Sequence, residues 1–115
     1  MKRYITLFLE DILDSINAIE KFSENIDREE LDSNRLKQSA IIREIEIIGE
    51  ATKNIPENFR KIYPNVEWKK IAGLRDIIIH AYFEIDLDIV WKVIKKDFPE
   101  LKIKILKIKE DLTKS

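Results

Sequence analysis

The chain has 115 residues with 21 basic and 22 acidic side chains, one histidine and no cysteine, a size that suits one core and is too small for two. Without cysteine there is no disulfide framework, no thiolate metal site and no cysteine nucleophile. Charged residues make up 37% of the chain while the net charge is only −1, so nucleic-acid binding would have to rest on a local patch and not on a global basic field. No apolar run is long enough to cross a membrane and no signal-peptide layout is present. A single cytoplasmic domain over residues 1–115, with no membrane association, is therefore expected.

Between Tyr4 and Phe22, apolar residues fall at Ile5, Phe8, Leu9, Ile12, Ile16 and Ile19. That spacing of three and four predicts an amphipathic helix. Asp27 followed by Glu30 has capping-box spacing and predicts a short helical turn at 28–31. A long helix should start at Ser33 or Asn34 and run to about Lys53, with Leu36, Ala40, Ile41, Ile45, Ile48 and Ala51 inward. Pro56 suits a first helical position and predicts a short helix through Tyr63 that turns Phe59 and Ile62 inward. A further helix is expected from about Glu67 to Ala81, with Trp68, Ile71, Leu74 and Ile78 on one face.

Asp86 can cap the next helix, with Asp88 in its first turn and Leu87, Val90, Trp91 and Ile94 buried. Phe98-Pro99 is expected to interrupt it, because proline disfavours the α region for its predecessor. Leu101 to Lys109 alternates at first like a strand, but Leu101, Ile105, Ile108 and Leu112 form a helical stripe. The fold class is accordingly all-α, an antiparallel bundle of about five helices. Gly49 and Gly73 both fall inside predicted helices, where each costs about 1 kcal/mol against alanine. A close crossing of those two helices would account for them, and it would bring Glu46 and Glu50 toward the segment 75–80.

Polar chemistry concentrates in Gly73-Leu-Arg-Asp-Ile-Ile-Ile-His-Ala-Tyr82. If the helix continues, Asp76 and His80 share a stripe, so the carboxylate could fix the imidazole tautomer. Arg75 and Tyr82 would share another. Arg75 and His80 would stand about 140° apart, flanking one face. Taken singly, each has an ordinary structural explanation: His80 as a core or interface residue, Arg75 as the ion-pair partner of Glu46 or Glu50, Tyr82 as a half-buried aromatic. Asp76 and His80 supply too few ligands for a metal site.

Arg75-Asp-Ile-Ile-Ile-His80-Ala-Tyr82 resembles the Arg-x4-His-x-Tyr signature of HEPN-domain toxins of the HepT type, which are encoded beside an MNT nucleotidyltransferase antitoxin. Glu46-Ile-Ile-Gly-Glu50-Ala51, Pro64, Trp68, Ile71, Phe83, Asp86, Asp88, Val90 and Trp91 fall in the order that family shows, so the resemblance covers nearly the whole chain. It implies a HEPN-like fold and a metal-independent endoribonuclease without a cofactor. Arg75 and His80 would be its catalytic residues, with Asp76, Glu46 and Glu50 supporting them. It also implies a two-fold homodimer with both motifs in one cleft, AMPylation of Tyr82 by the antitoxin, and room for a larger assembly with it.

The chemistry of RNA cleavage suits those residues: histidine moves protons near neutral pH, and arginine presents a planar fork matched to phosphate. One imidazole per chain falls short of an acid and a base, which a second copy would supply. Arg60, Lys61, Lys69, Lys70, Lys92, Lys95 and Lys96 surround the signature in sequence and could meet a phosphate backbone, but scattered lysines more often form a solvated face, as Lys102 to Lys109 are expected to. Two other readings compete. One is a non-catalytic helical module that binds a nucleotidyltransferase and its substrate; the other is a dimeric scaffold.

Overall fold

Short-range apolar spacing and side-chain caps account for most of the elements in the computed structural model, which describes residues 2–81 and 84–114, with the backbone alone at 2, 3, 80 and 81. Tyr82 and Phe83 lie outside the described residues. The first helix, α1 (Lys2–Phe22), buries Ile5, Leu9, Ile12, Ile16 and Ile19, and Leu13 as well. Asp27 accepts a hydrogen bond from the Glu30 amide at 2.8 Å and starts α2 (Arg28–Ser33). Asn34 does the same for Lys37 at 3.0 Å and starts α3 (Arg35–Lys53). These caps satisfy amides that have no partner inside the helix.

The stripe on α3 is narrower than its sequence suggests. Ile41, Ile45, Ile48 and Ala51 are buried, but Leu36 is 81% exposed, since the first turn of α3 meets α1 and α2 through Lys37 and Gln38, which donate to the Phe22 and Leu31 carbonyls. Pro56 sits at the cap of α4 (Glu57–Ile62) and not inside it. That helix is so short that only Phe59 reaches the core, while Ile62 stays exposed.

The predicted helix over 67–81 is instead three pieces. Helix α5 (Trp68–Ala72) ends at Gly73, α6 (Leu74–Ile78) starts at once, and the chain then turns extended at Ile79, with φ −102° and ψ 100°. Strand β1 (Ile79–Ala81) pairs antiparallel with β2 (Glu84–Ile85), Ile79 facing Ile85. Ile77 and Ile78 stay helical, and the β-branched Ile79, which suits a pleated backbone, begins the strand. The Ile78 carbonyl accepts the Asp86 amide at 2.8 Å, a bond made across the hairpin.

Asp86 caps α7 (Leu87–Lys92) through the Ile89 amide at 3.1 Å. Phe98-Pro99 does not break the helical rod. A π-helical turn, Val93–Asp97, leads directly into α8 (Phe98–Lys114), and Phe98 keeps α geometry at φ −71° and ψ −38°. Proline lacks an amide hydrogen and crowds the carbonyl four residues back; widening the turn before it relieves both problems without ending the rod. Leu101, Ile105 and Ile108 are buried along α8, as a helix and not a strand.

One apolar cluster joins these elements. Helix α1 packs against α3 and α8, α3 against α5 and α6, and α6 against α7. Ion pairs bind the rim: Arg28 of α2 to Asp88 of α7 at 2.8 Å, and Lys102 and Lys109 of α8 to Glu20 and Glu10 of α1 at 3.1 and 3.7 Å. Lys104 reaches the Asn65 carbonyl at 2.8 Å. The lysines of α8 are thus partly inter-element ties and not only a solvated face. Among the described residues no helix is long and apolar enough to cross a membrane.

Candidate active site

The site is built where α5 and α6 lie against α3. A Cβ placed on Gly49 would sit 3.4 Å from the Ala72 carbonyl and 3.7 Å from that of Ile71. The backbone of α5 therefore lies against α3 at Gly49, at distances where an added methyl would make ordinary van der Waals contact. Gly73 serves a different purpose. A Cβ there would meet only Lys69 and Lys70 carbonyls of its own helix, and its amide is shared between those two carbonyls at 3.2 Å each. It joins α5 to α6 and takes no part in the crossing, so the helices meet at Gly49 alone, and the contact there has room for a methyl group.

This approach sets Glu46 of α3 beside Arg75 of α6. Arg75 Nε donates to Glu46 Oε2 at 3.2 Å, with the two side chains 56% and 45% exposed. An ion pair this open to water contributes about 0–1 kcal/mol, so the guanidinium can be released to another anion at small cost. Glu46→Gln is accordingly expected to change the unfolding free energy by less than about 1 kcal/mol, read from urea titrations. A larger loss would mean that the pair is a structural tie.

Glu50 does not meet Arg75; its carboxylate is 3.5 Å from Lys53 Nζ, one turn further along α3. It does share with Glu46 and Arg43 a depression of about 320 Å³ beside Phe8 of α1. Arg43 went unnoticed in the sequence. Its spacing of three from Glu46 was the available signal, since residues three apart are neighbours on a helix.

The end of α6 at Ile78 removes the helical argument for Asp76 and His80. Asp76 lies exposed in the first turn of α6, and His80 lies on β1, so helical spacing does not align them. The stripe expected for Arg75 and Tyr82 fails for the same reason, and Tyr82 itself is outside the described residues. Of the isoleucine run only Ile78 is fully anchored, at 1% exposure, whereas Ile77 is 41% exposed. Arg75 and His80 therefore flank a helix-to-strand junction pinned by one buried side chain. Among the described residues, no group of three or more carboxylates, imidazoles or thiols converges as a metal cage would.

The family described as "Ribonuclease HepT-like" matches residues 12–108. The chain belongs to that family. Similar proteins carry the same kind of description. It is 44% identical over 110 residues to a "Probable ribonuclease HepT" of Thermococcus cleftensis, covering 96% of this chain and 100% of that one. It is 46% identical over 101 residues to a "Putative RNase" of Methanocaldococcus jannaschii, covering 88% and 93%. A third relative, from the same archaeon, is described as "Gamma-glutamylcyclotransferase and putative RNase" and is 44% identical over 115 residues. The chain spans only 52% of that protein's length. No solved structure matches the chain. As a HepT-like ribonuclease family member, the chain keeps an all-helical body, with the short β1–β2 hairpin inserted where the Arg-x4-His segment runs from α6 into β1.

Proposed function

We propose that this chain is a metal-independent endoribonuclease, the toxin of a type II toxin–antitoxin pair acting in the cytoplasm, with Arg75 and His80 as catalytic residues. The observation that carries the reading is the half-exposed Arg75 guanidinium, paired among the described residues with an exposed carboxylate, in a chain of the HepT-like ribonuclease family. A cation in that state is available to a phosphate, where its fork matches two oxygens.

The reaction is a transesterification. The 2′-oxygen of RNA attacks the adjacent phosphorus and the bond to the 5′-oxygen breaks, giving a 2′,3′-cyclic phosphate and a 5′-hydroxyl. One imidazole takes the proton of the 2′-hydroxyl and a second gives a proton to the departing oxygen. Arg75 stabilises charge growing on the phosphorus oxygens. Two-fold pairing supplies the second His80. Ile77 on α6 and Ile85 on β2, exposed on either side of β1, support such pairing as apolar surface that a second copy would cover. Glu46 positions Arg75, and Asp76 and Glu50 are further supporting groups.

Silencing would come from an MNT-type nucleotidyltransferase that transfers AMP to Tyr82, in a larger assembly with the toxin. Added bulk and negative charge on Tyr82, where an anionic RNA must dock, would oppose its binding. Co-expression with a cognate nucleotidyltransferase should raise the intact mass by whole AMP units, and Tyr82→Phe should abolish the increase. Modification that persists in the variant would remove this part of the reading. Cleavage itself is tested in EDTA with product-end analysis, comparing the parent chain with His80→Ala and Arg75→Ala.

A further inference from the structure

A second surface on the molecule points to nucleic acid. Between the C-terminal end of α3, helix α4 and helix α5 lies an open groove of about 940 Å³. Five cationic side chains line it, Lys53, Arg60, Lys61, Lys69 and Lys70, against two acidic ones, Glu57 and Glu67. In a chain of net charge −1 this is a strong local excess, and local excess is what draws a polyanion.

Helix α3 ends in this groove, and its last carbonyls would ordinarily repel a phosphate. They are already engaged. Arg60 donates to the Thr52 and Ile55 carbonyls at 2.7 and 3.0 Å, and Asn54 Nδ2 donates to that of Glu50 at 2.9 Å. Arg60 thus neutralises the negative end of α3 and leaves the lysines to a ligand. Lys61 and Lys69 are exposed; Lys53 stands 3.5 Å from Glu50 in an exposed pair that exchanges cheaply, whereas Lys70 is shared between the exposed Glu67 at 3.8 Å and the less exposed Asp97 at 4.0 Å. Ile55, Pro56 and Trp68 add apolar lining.

The groove and Arg75 lie along the same face of α3. Glu46, Glu50 and Lys53 are four and three residues apart on α3 and form one stripe, about 10 Å long at 1.5 Å per residue. Glu46 at one end touches Arg75, and Lys53 at the other lines the groove. We infer that the groove holds the backbone of single-stranded RNA flanking the cleaved bond. Cations that track phosphates over an apolar lining are the usual means of holding a single strand without sequence preference. This inference rests on the ribonuclease reading.

The test uses the full chain with His80→Ala, so that the probe stays whole, and a fluorescent oligouridylate of about twelve nucleotides. Anisotropy titrations span about 50 to 200 mM salt. Lys61→Gln with Lys69→Gln should weaken binding about tenfold and lower the slope of log affinity against log salt by about 1.4, two phosphate contacts at about 0.7 each. Lys107→Gln with Lys114→Gln, which removes the same charge from exposed positions on α8, should change far less. In the chain with His80 intact, the groove pair should raise KM for long RNA and leave dinucleotide cleavage unchanged.

Equal loss from both lysine pairs, or none from either, overturns the inference, as does a groove pair that loses an acidic protein partner while RNA binding holds. RNA binding that depends on the groove in a chain that cleaves nothing would remove the ribonuclease reading alone. Cleavage with an unmoved KM would remove the groove alone.

Discussion

Replacing His80 with alanine is expected to lower RNA cleavage by about 10²–10⁴-fold, the usual contribution of a positioned proton-transfer group, and Arg75→Ala by about 10²–10³-fold through lost charge stabilisation. Both rates are measured on labelled RNA in EDTA, with the ends of the products identified. Arg75→Lys should recover little, because an ammonium is a point charge and cannot present two parallel donors to a phosphate. Stability makes a useful counter-measurement. Arg75 is 56% exposed and its pair with Glu46 is open to water, so Arg75→Ala should leave the unfolding free energy within about 1 kcal/mol of the parent. A scaffold in which the motif only holds an interface would show the reverse: stability lost, with no activity to lose. Residual cleavage above a tenth of the parent rate in either alanine variant would sink the catalytic assignment.

Ile78→Ala should be the most damaging single truncation in the site region, at about 2–5 kcal/mol. Ile78 is 1% exposed, closes α6, and belongs to the cluster that joins α3, α6 and α7. Its carbonyl also takes the Asp86 amide across the hairpin. Against a typical stability of about 5–15 kcal/mol, such a loss would be plain in urea unfolding. Ile77→Ala, one residue away but 41% exposed, should cost less than about 0.5 kcal/mol for the chain itself. A loss at Ile77 that grows as the protein is diluted would instead mark it as covered by a second copy, since association stabilises by mass action. Equal losses at both positions and at every concentration would contradict the packing of α6 against α3 and α7.

Local features of the sequence determined most of the helices because their causes are local. The stripes at Ile5 to Ile19, Ile41 to Ile48 and Leu101 to Ile108 are periodic within one element, and Asp27, Asn34 and Asp86 cap through amides three residues away. Arg75 and Glu46 could be paired in thought because their helices had to cross near Gly49. Other outcomes depended on what lay across the bundle. Whether Leu36 or Ile62 met a neighbour was decided by which side of α3 and α4 the rest of the bundle packs on, not by their spacing. The isoleucine run ahead of His80 fitted a helix by pattern and a strand by side-chain shape. Only the tertiary structure, in which the Asp86 amide returns to the Ile78 carbonyl, divided the run, leaving Ile77 and Ile78 in α6 and making Ile79 the first strand residue. Proline at 99 looked like a helix end, yet a π-helical turn could absorb it because burial of Val93, Ile94 and Phe98 holds the rod in place. Arg60, Lys61, Lys69 and Lys70 could be named as candidate phosphate contacts from the sequence, but not their convergence with Lys53: the five cations come from three elements, and their shared field exists only once α3, α4 and α5 have packed together.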